Sequence, residues 1–249
     1  MPTKPLRVLV LGGTGEARCL AERLVADERI SVITSLAGVT REPRSFAGAL
    51  RTGGFGGAKG LQTFVVDERI DLLIDAAHPF AAQISANAAK ASRGSGIQCL
   101  RLERPPWELQ EGDRLTNVPD VQAAADAIPR GARAFVTVGR QDVAAFLVRE
   151  DISVVARMIE PPDVAVPDHA EIILARPPFA LADEKALMET KGISVLVAKN
   201  SGGTATEAKI VAARELSLQV IMVVRPEKPP VPTAADVDEM VDLIEGELG

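Results

Sequence analysis

Tyrosine is absent from the 249-residue chain. That absence excludes the short-chain reductases, which open on a similar Gly-Gly-Thr-Gly turn but protonate through a Tyr-x-x-x-Lys pair. Two histidines and two distant cysteines, Cys19 and Cys99, cannot make a recognisable zinc site. Two thiols on segments that read as regular structure also argue for a reduced compartment rather than a disulfide framework. No apolar run approaches the ~20 residues that span a bilayer, and Met1-Pro2-Thr3-Lys4-Pro5 leads straight into a short strand with no signal-peptide core. The expected compartment is the cytoplasm, with no membrane partner. Positive charge is not in excess either: the formal net charge is −6, and no basic run interleaves with aromatics, so nucleic acid is not an expected partner.

What is present is an ordinary globular composition, long enough for one large or two modest domains. The chain is organised around residues 6–20. Leu6 to Leu11 form a short apolar run with Val8 and Val10 at alternate positions, which reads as a strand buried on both faces of a parallel sheet. Gly12, Gly13 and Gly15 follow, and from Glu16 the pattern turns helical, with Ala17, Leu20, Ala21 and Leu24 on one side. Strand, glycine turn and helix N-terminus together aim N–H groups and partial positive charge at one point, which suits a diphosphate. Gly12, Gly13, Thr14, Gly15, Glu16 and Ala17 are the candidate cradle. The dinucleotide fingerprint G-x-G-x-x-G is incomplete, because its third glycine is Arg18 here. A purely structural turn is the alternative.

The next strand, around 31–35, bears on which nucleotide binds. NAD-selective sites place an acid near its end to accept from the ribose 2′-hydroxyl. No acid occurs from Ser31 to Arg41; Thr34, Ser35 and Arg41 stand there instead. Hydroxyls and a guanidinium suit a 2′-phosphate, so the expected cofactor is NADPH. The alternative is that Arg41 only solvates a loop. A short strand at Ala49–Thr52 and a glycine-rich loop at 53–57 follow. Gly53, Gly54 and Phe55 either lie over the nucleotide or form a mobile turn. Asp71 to Ala77 reads as a further buried strand, with His78, Pro79 and Phe80 beyond its C-terminal end, where ligands bind in open parallel sheets. A helix near 81–93 and a strand near 96–102 complete a doubly wound pattern.

Proline and charge from Arg104 to Asp113 break the alternation and mark the passage into a second domain. Trp107, the only tryptophan, reads there as a packing anchor. The second half repeats the rhythm, with strands ending at Arg140, Arg176, Lys199 and Arg225. If those strands are parallel, the four cations gather at one sheet edge and imply an anionic ligand. The bland alternative is that each pairs with a neighbouring acid. Lys199-Asn200-Ser201-Gly202-Gly203-Thr204 precedes a helix and reads as a second anion cradle, though not a Walker loop. Residues 226–232 read as an extended linker, and Thr233 as the cap of a final helix whose docking is left open. The expected architecture is α/β: two Rossmann-like domains with largely parallel sheets and an interdomain cleft. Residues 1–103 form the NADP(H) domain, 104–232 the substrate domain and 233–249 the final helix.

Taken in order, Leu11–Arg18 (LGGTGEAR), Thr34–Gly38, Gly53–Gly57, Asp75–Ala81 (DAAHPFA), Thr137–Arg140, Arg176–Phe179 and Lys199–Gly203 through to Arg225-Pro226 resemble the precorrin-6A reductase family of cobalamin biosynthesis. Ala77 stands where the family's version of that motif has Thr. The resemblance spans nearly the whole chain. It implies NADPH-dependent reduction of one double bond of the precorrin-6A macrocycle to give precorrin-6B. It also implies that Gly12–Ala17 hold the diphosphate and that Thr34, Ser35 and Arg41 read the 2′-phosphate. Gly53–Phe55 and His78–Phe80 would line the rest of the cofactor, and Lys199–Gly203 would meet the substrate, whose acetate and propionate groups account for the cations. No metal is implied. The proton donor is unassigned, with His78, Lys199 and water as candidates. A non-catalytic NADP(H) redox sensor and a reductase of another polycarboxylate are the alternatives, and neighbouring pathway enzymes are open as further partners.

Overall fold

Alternation inside the first strand decides how the amino-terminal part of the chain is layered. In the computed structural model, which describes residues 4–37, 46–108, 110 and 112–248, β1 (Leu6–Gly12) buries Val8 and Val10 on one face and Leu9 and Leu11 on the other. Both faces are apolar, so both need a cover. Leu20 and Leu24 of α1 (Gly15–Val25) pack on the first face; Leu61 and Val65 of α2 (Gly57–Asp67), with Ala88 and Ala91 of α3 (Ala82–Ser95), pack on the second. Around β1 lie β2 (Ile30–Leu36), β3 (Ala49–Thr52), β4 (Leu72–Ala76) and β5 (Gln98–Leu102).

Two compact units result, the first being Met1–Pro105 with Pro226–Gly249 and the second Pro106–Arg225. In the first, six parallel strands run in the order β12-β5-β4-β1-β2-β3. The chain starts at β1, works outward to β3, then returns to β4 on the other side. The strand order therefore reverses beside β1, and ligands of such sheets bind at the carboxyl ends there. The last strand, β12 (Thr233–Ala234), enters from the far end of the chain and pairs with β5.

The second unit holds another six-stranded parallel sheet, in the order β6-β11-β10-β7-β8-β9. Its strands are β6 (Arg114–Val118), β7 (Arg133–Thr137), β8 (Ser153–Met158), β9 (Ala170–Leu174), β10 (Val195–Lys199) and β11 (Gln219–Val223). They alternate with α4 (Val121–Asp126), α5 (Ala144–Leu147), α6 (Leu181–Thr190) and α7 (Ala208–Glu215). Phe135, Leu196, Val220 and Met222 form its core with Trp107 and Met188. The reversal of strand order falls between β7 and β10, so Arg140 and Lys199 lie at the switch point.

Two local readings need correction and a third gains detail. Thr233 does not cap the final helix but belongs to β12. The cap of α8 (Val237–Leu248) is Asp236, which accepts from the Glu239 N–H at 2.9 Å while the Glu239 carboxylate accepts from Ala235 N–H at 2.6 Å, a reciprocal capping arrangement. Residues 226–232 are the extended linker expected, held along the sheet where the Pro232 carbonyl accepts from Arg101 N–H at 2.8 Å and the Pro229 carbonyl from Arg101 Nη2 at 3.1 Å. Finally, a 3₁₀ turn at Thr204–Thr206 separates the Lys199–Thr204 loop from α7, so that loop does not open directly on an α-helix.

Candidate functional site

Thr14 is the hinge of the glycine turn. Its Oγ1 accepts from Ala17 N–H at 3.0 Å, capping α1, and donates to the Ala76 carbonyl at 3.0 Å. One hydroxyl therefore ties the start of the helix to the end of β4. A Cβ at Gly12 would stand 2.6 Å from the Ala17 Cβ and 2.9 Å from the Ala76 oxygen, so only glycine permits this approach. At Gly15 a Cβ would meet nothing within 4 Å. Open space thus adjoins the first turn of α1, whose leading N–H groups have no partner within the helix. The partial positive charge of a helix N-terminus faces that open space. Glu16 would oppose an anion there, but Arg104 Nη1 meets its carboxylate at 2.9 Å.

At the end of β2, Thr34 is fully buried with its Oγ1 unpartnered among the described residues, whereas Ser35 pairs in register with Arg51 of β3. Arg41 lies outside the described residues. The residue that sequence reasoning missed is Arg51: its Nη1 donates to Ser35 Oγ at 3.2 Å and to the Gly53 carbonyl at 2.5 Å, and its Nη2 to the Gly54 carbonyl at 2.8 Å. The guanidinium lies 3.8 Å above the Phe55 ring. Only its position at the end of a short strand, just before the glycines, could have marked it.

Beyond β4 the chain passes His78 and Pro79. Phe80 N–H donates to His78 Nδ1 at 3.3 Å, which orients the imidazole ring. Below that exit, buried Asp75 meets Arg101 Nε at 3.1 Å and accepts from Ala77 N–H at 3.3 Å, fixing the direction in which the chain leaves the strand. Gly12–Ala17, Ser35, Gly53–Phe55 and His78–Phe80 thus stand at the carboxyl ends of four adjacent strands. A groove of about 370 Å³ lined by Leu24, Ile30, Val241 and Ile244 belongs to the other end of α1. About 12 Å of helix, from Gly15 to Arg23, separate it from the turn.

In the second unit the four cations follow the carboxyl ends of β7, β9, β10 and β11. Arg140 lies 3.3 Å from Glu160 and 3.9 Å from Asp163, and Lys199 pairs with Asp142. Arg225 instead donates to the carbonyls of Asn200 at 2.8 Å and Ser201 at 3.1 Å, holding the loop from inside. Trp107 clasps the same loop: its N–H donates to Asn200 Oδ1 and its Nε1 to the Gly203 carbonyl, both at 2.9 Å. Gly202 and Gly203 have φ of +66° and +78°, the left-handed region that turns the loop back without strain. The strands that carry them, from β11 to β9, span four spacings, about 19 Å. Among the described residues, no helix is long and apolar enough to cross a membrane. Nor do three or more His, Cys, Asp or Glu among them group so as to hold a metal.

Comparison with known proteins gives a consistent picture. A family model described as precorrin-6x reductase CbiJ/CobK matches residues 7–245. A precorrin-6A reductase of Rhodococcus erythropolis is 48% identical over 231 residues, covering 92% of this chain and 93% of that one. Another, from Sinorhizobium sp, is 49% identical over 241 residues, covering 96% and 92%. The solved structure of CobK precorrin-6A reductase is similar with a TM-score of 0.90 at 39% identity, covering 96% of each chain.

Proposed function

Because the chain belongs to the precorrin-6x reductase family of cobalamin biosynthesis, we propose that it reduces one double bond of precorrin-6A with NADPH, giving precorrin-6B. The observation that carries the cofactor half is the strand-end arrangement of the first unit, where a glycine cradle adjoins a β2 end that bears Ser35 and no carboxylate. An acid there would repel a 2′-phosphate and favour the ribose hydroxyl of NADH. When bound, NADPH supplies a hydride to an electrophilic carbon of the conjugated macrocycle while the neighbouring carbon takes a proton, so one C=C becomes CH–CH.

The chain's own work is orientation and charge placement. Gly12–Ala17 hold the diphosphate, Ser35 marks the ribose end while fully buried Thr34 stays out of reach of the ligand, and Gly53–Phe55 with His78–Phe80 line the remainder. Arg140, Arg176, Lys199 and Arg225, with Asn200–Thr204, receive the substrate's carboxylates. His78 Nε2 and Lys199 Nζ are the side-chain candidates for the proton, a bound water being the third source. The decisive assay follows the near-ultraviolet absorbance of the reduced nicotinamide with purified protein and precorrin-6A. Loss of absorbance with matching gain of two hydrogens in the product supports the reading; no turnover of any tetrapyrrole overturns it.

A further inference from the structure

We propose that Arg51 is the residue through which the first unit recognises the cofactor's 2′-phosphate, and that the same guanidinium couples that phosphate to the shape of the 53–57 turn. The inference rests on the NADPH reading above. Its first support is the state of the charge. Other well-held arginines of this unit meet carboxylates, as Arg101 meets Asp75 and Arg104 meets Glu16. Arg51 is equally fixed, by one hydroxyl, two carbonyls and the face of Phe55, with the Phe64 ring at 5.2 Å. Yet among the described residues it has no acidic partner. A guanidinium held in one orientation by neutral groups, without a counterion, is a receptor for an anion.

Position is the second support. Leu11 of β1, Ser35 of β2 and Arg51 of β3 are successive partners across the sheet. A diphosphate on the β1–α1 turn directs the adenosine toward the ends of β2 and β3, where the ribose 2′ position is read. Nε–H and one Nη2–H of Arg51 have no acceptor among the described residues, while the Ser35 oxygen accepts from Nη1 on the other side of the guanidinium. Two N–H donors of one guanidinium are thus left for the dianion. Because Nη1 and Nη2 already hold the Gly53 and Gly54 carbonyls, an anion that locks the fork also locks the turn.

The test compares NADPH and NADH binding, by fluorescence of the reduced nicotinamide, in wild type, Arg51→Ala, Arg51→Lys and Ser35→Ala. Arg51→Ala is expected to weaken NADPH about ten- to a hundredfold while NADH changes by less than about threefold. Arg51→Lys keeps the charge but not the fork, and should recover only part of the NADPH affinity. Amide exchange in 53–57 should slow when wild type binds adenosine 2′,5′-bisphosphate but not adenosine 5′-phosphate, and this difference should vanish in Arg51→Lys. An Arg51→Ala protein that keeps its preference for NADPH overturns the assignment and leaves the cofactor reading intact. Equal losses for both nucleotides also overturn it, since Arg51 would then only shape the turn. A wild-type protein that binds NADH as tightly as NADPH overturns the cofactor reading itself.

Discussion

Thiol reactivity depends on how readily a thiolate forms, and the two cysteines differ sharply in that respect. Cys19 is exposed on α1, whereas burial within β5, aided by the nearby Asp75 charge, pushes the Cys99 thiol up to about 12. An aromatic disulfide reagent at neutral pH should therefore label Cys19 alone in the native protein and both after unfolding; two labels in the folded state would contradict the burial. A second residue-scale case is Arg157, held 2.6 Å from Glu184 and stacked 3.6 Å over Phe179, with both charges nearly inaccessible. Removing one partner of such a pair strands the other charge, at a cost of about 3–5 kcal/mol. Glu184→Ala should lose roughly that in urea unfolding followed by Trp107 fluorescence. Arg157→Met on the same background should restore much of it, because an apolar pair leaves no buried charge.

Elements were legible where their pattern was strong. The β1–glycine–α1 unit reads from sequence because buried strand, turn and amphipathic helix each have their own period. By contrast β6 and α4 escape notice: Arg114-Leu-Thr-Asn-Val is an edge strand with polar exposed positions, and α4 is under two turns long. β12 is two residues long and exists only because β5 offers it an open edge. Arg51 was hidden for a related reason, since sixteen residues separate it from Ser35 in sequence and only strand pairing joins them. Within the passage to β6, Asp113 carries a prediction. Arg214 of α7 meets it at 2.6 and 3.1 Å, and this pairing holds its carboxyl below the usual carboxylate range. A depressed folded pKa stabilises above the unfolded value of about 3.9 and is lost as pH falls through the folded one. Asp113→Asn should therefore be less stable than wild type near neutrality, with the difference closing below about pH 4. A constant difference at all pH values would mean the pair contributes packing rather than charge.

At the scale of the whole molecule, the first unit is assembled from both ends of the chain. After the second unit the chain returns at Pro226, adds β12 to the sheet edge and lays α8 across the face that α1 already covers in part. Met240 and Ile244 are fully buried there, in one cluster with Leu20, Leu24, Leu100 and Leu102. Truncating either of the two to alanine should cost about 2–5 kcal/mol, against a total of about 5–15 for a domain. The exposed Arg23–Asp238 ion pair adds little to this. Ending the chain at Arg225 removes both side chains and the β12 hydrogen bonds at once, which exceeds what the first unit can lose and stay folded. Trp107 and its partners Asn200 and Gly203 lie wholly within 106–225. The shortened protein should therefore keep a cooperative tryptophan unfolding transition while the proposed NADPH binding and well over half of the helical circular dichroism disappear, and Met240→Ala should lower the first unit's midpoint without moving the tryptophan transition. If the chain ending at Arg225 still bound NADPH with wild-type affinity, the carboxyl-terminal segment would be an appendage and the first unit complete by residue 105.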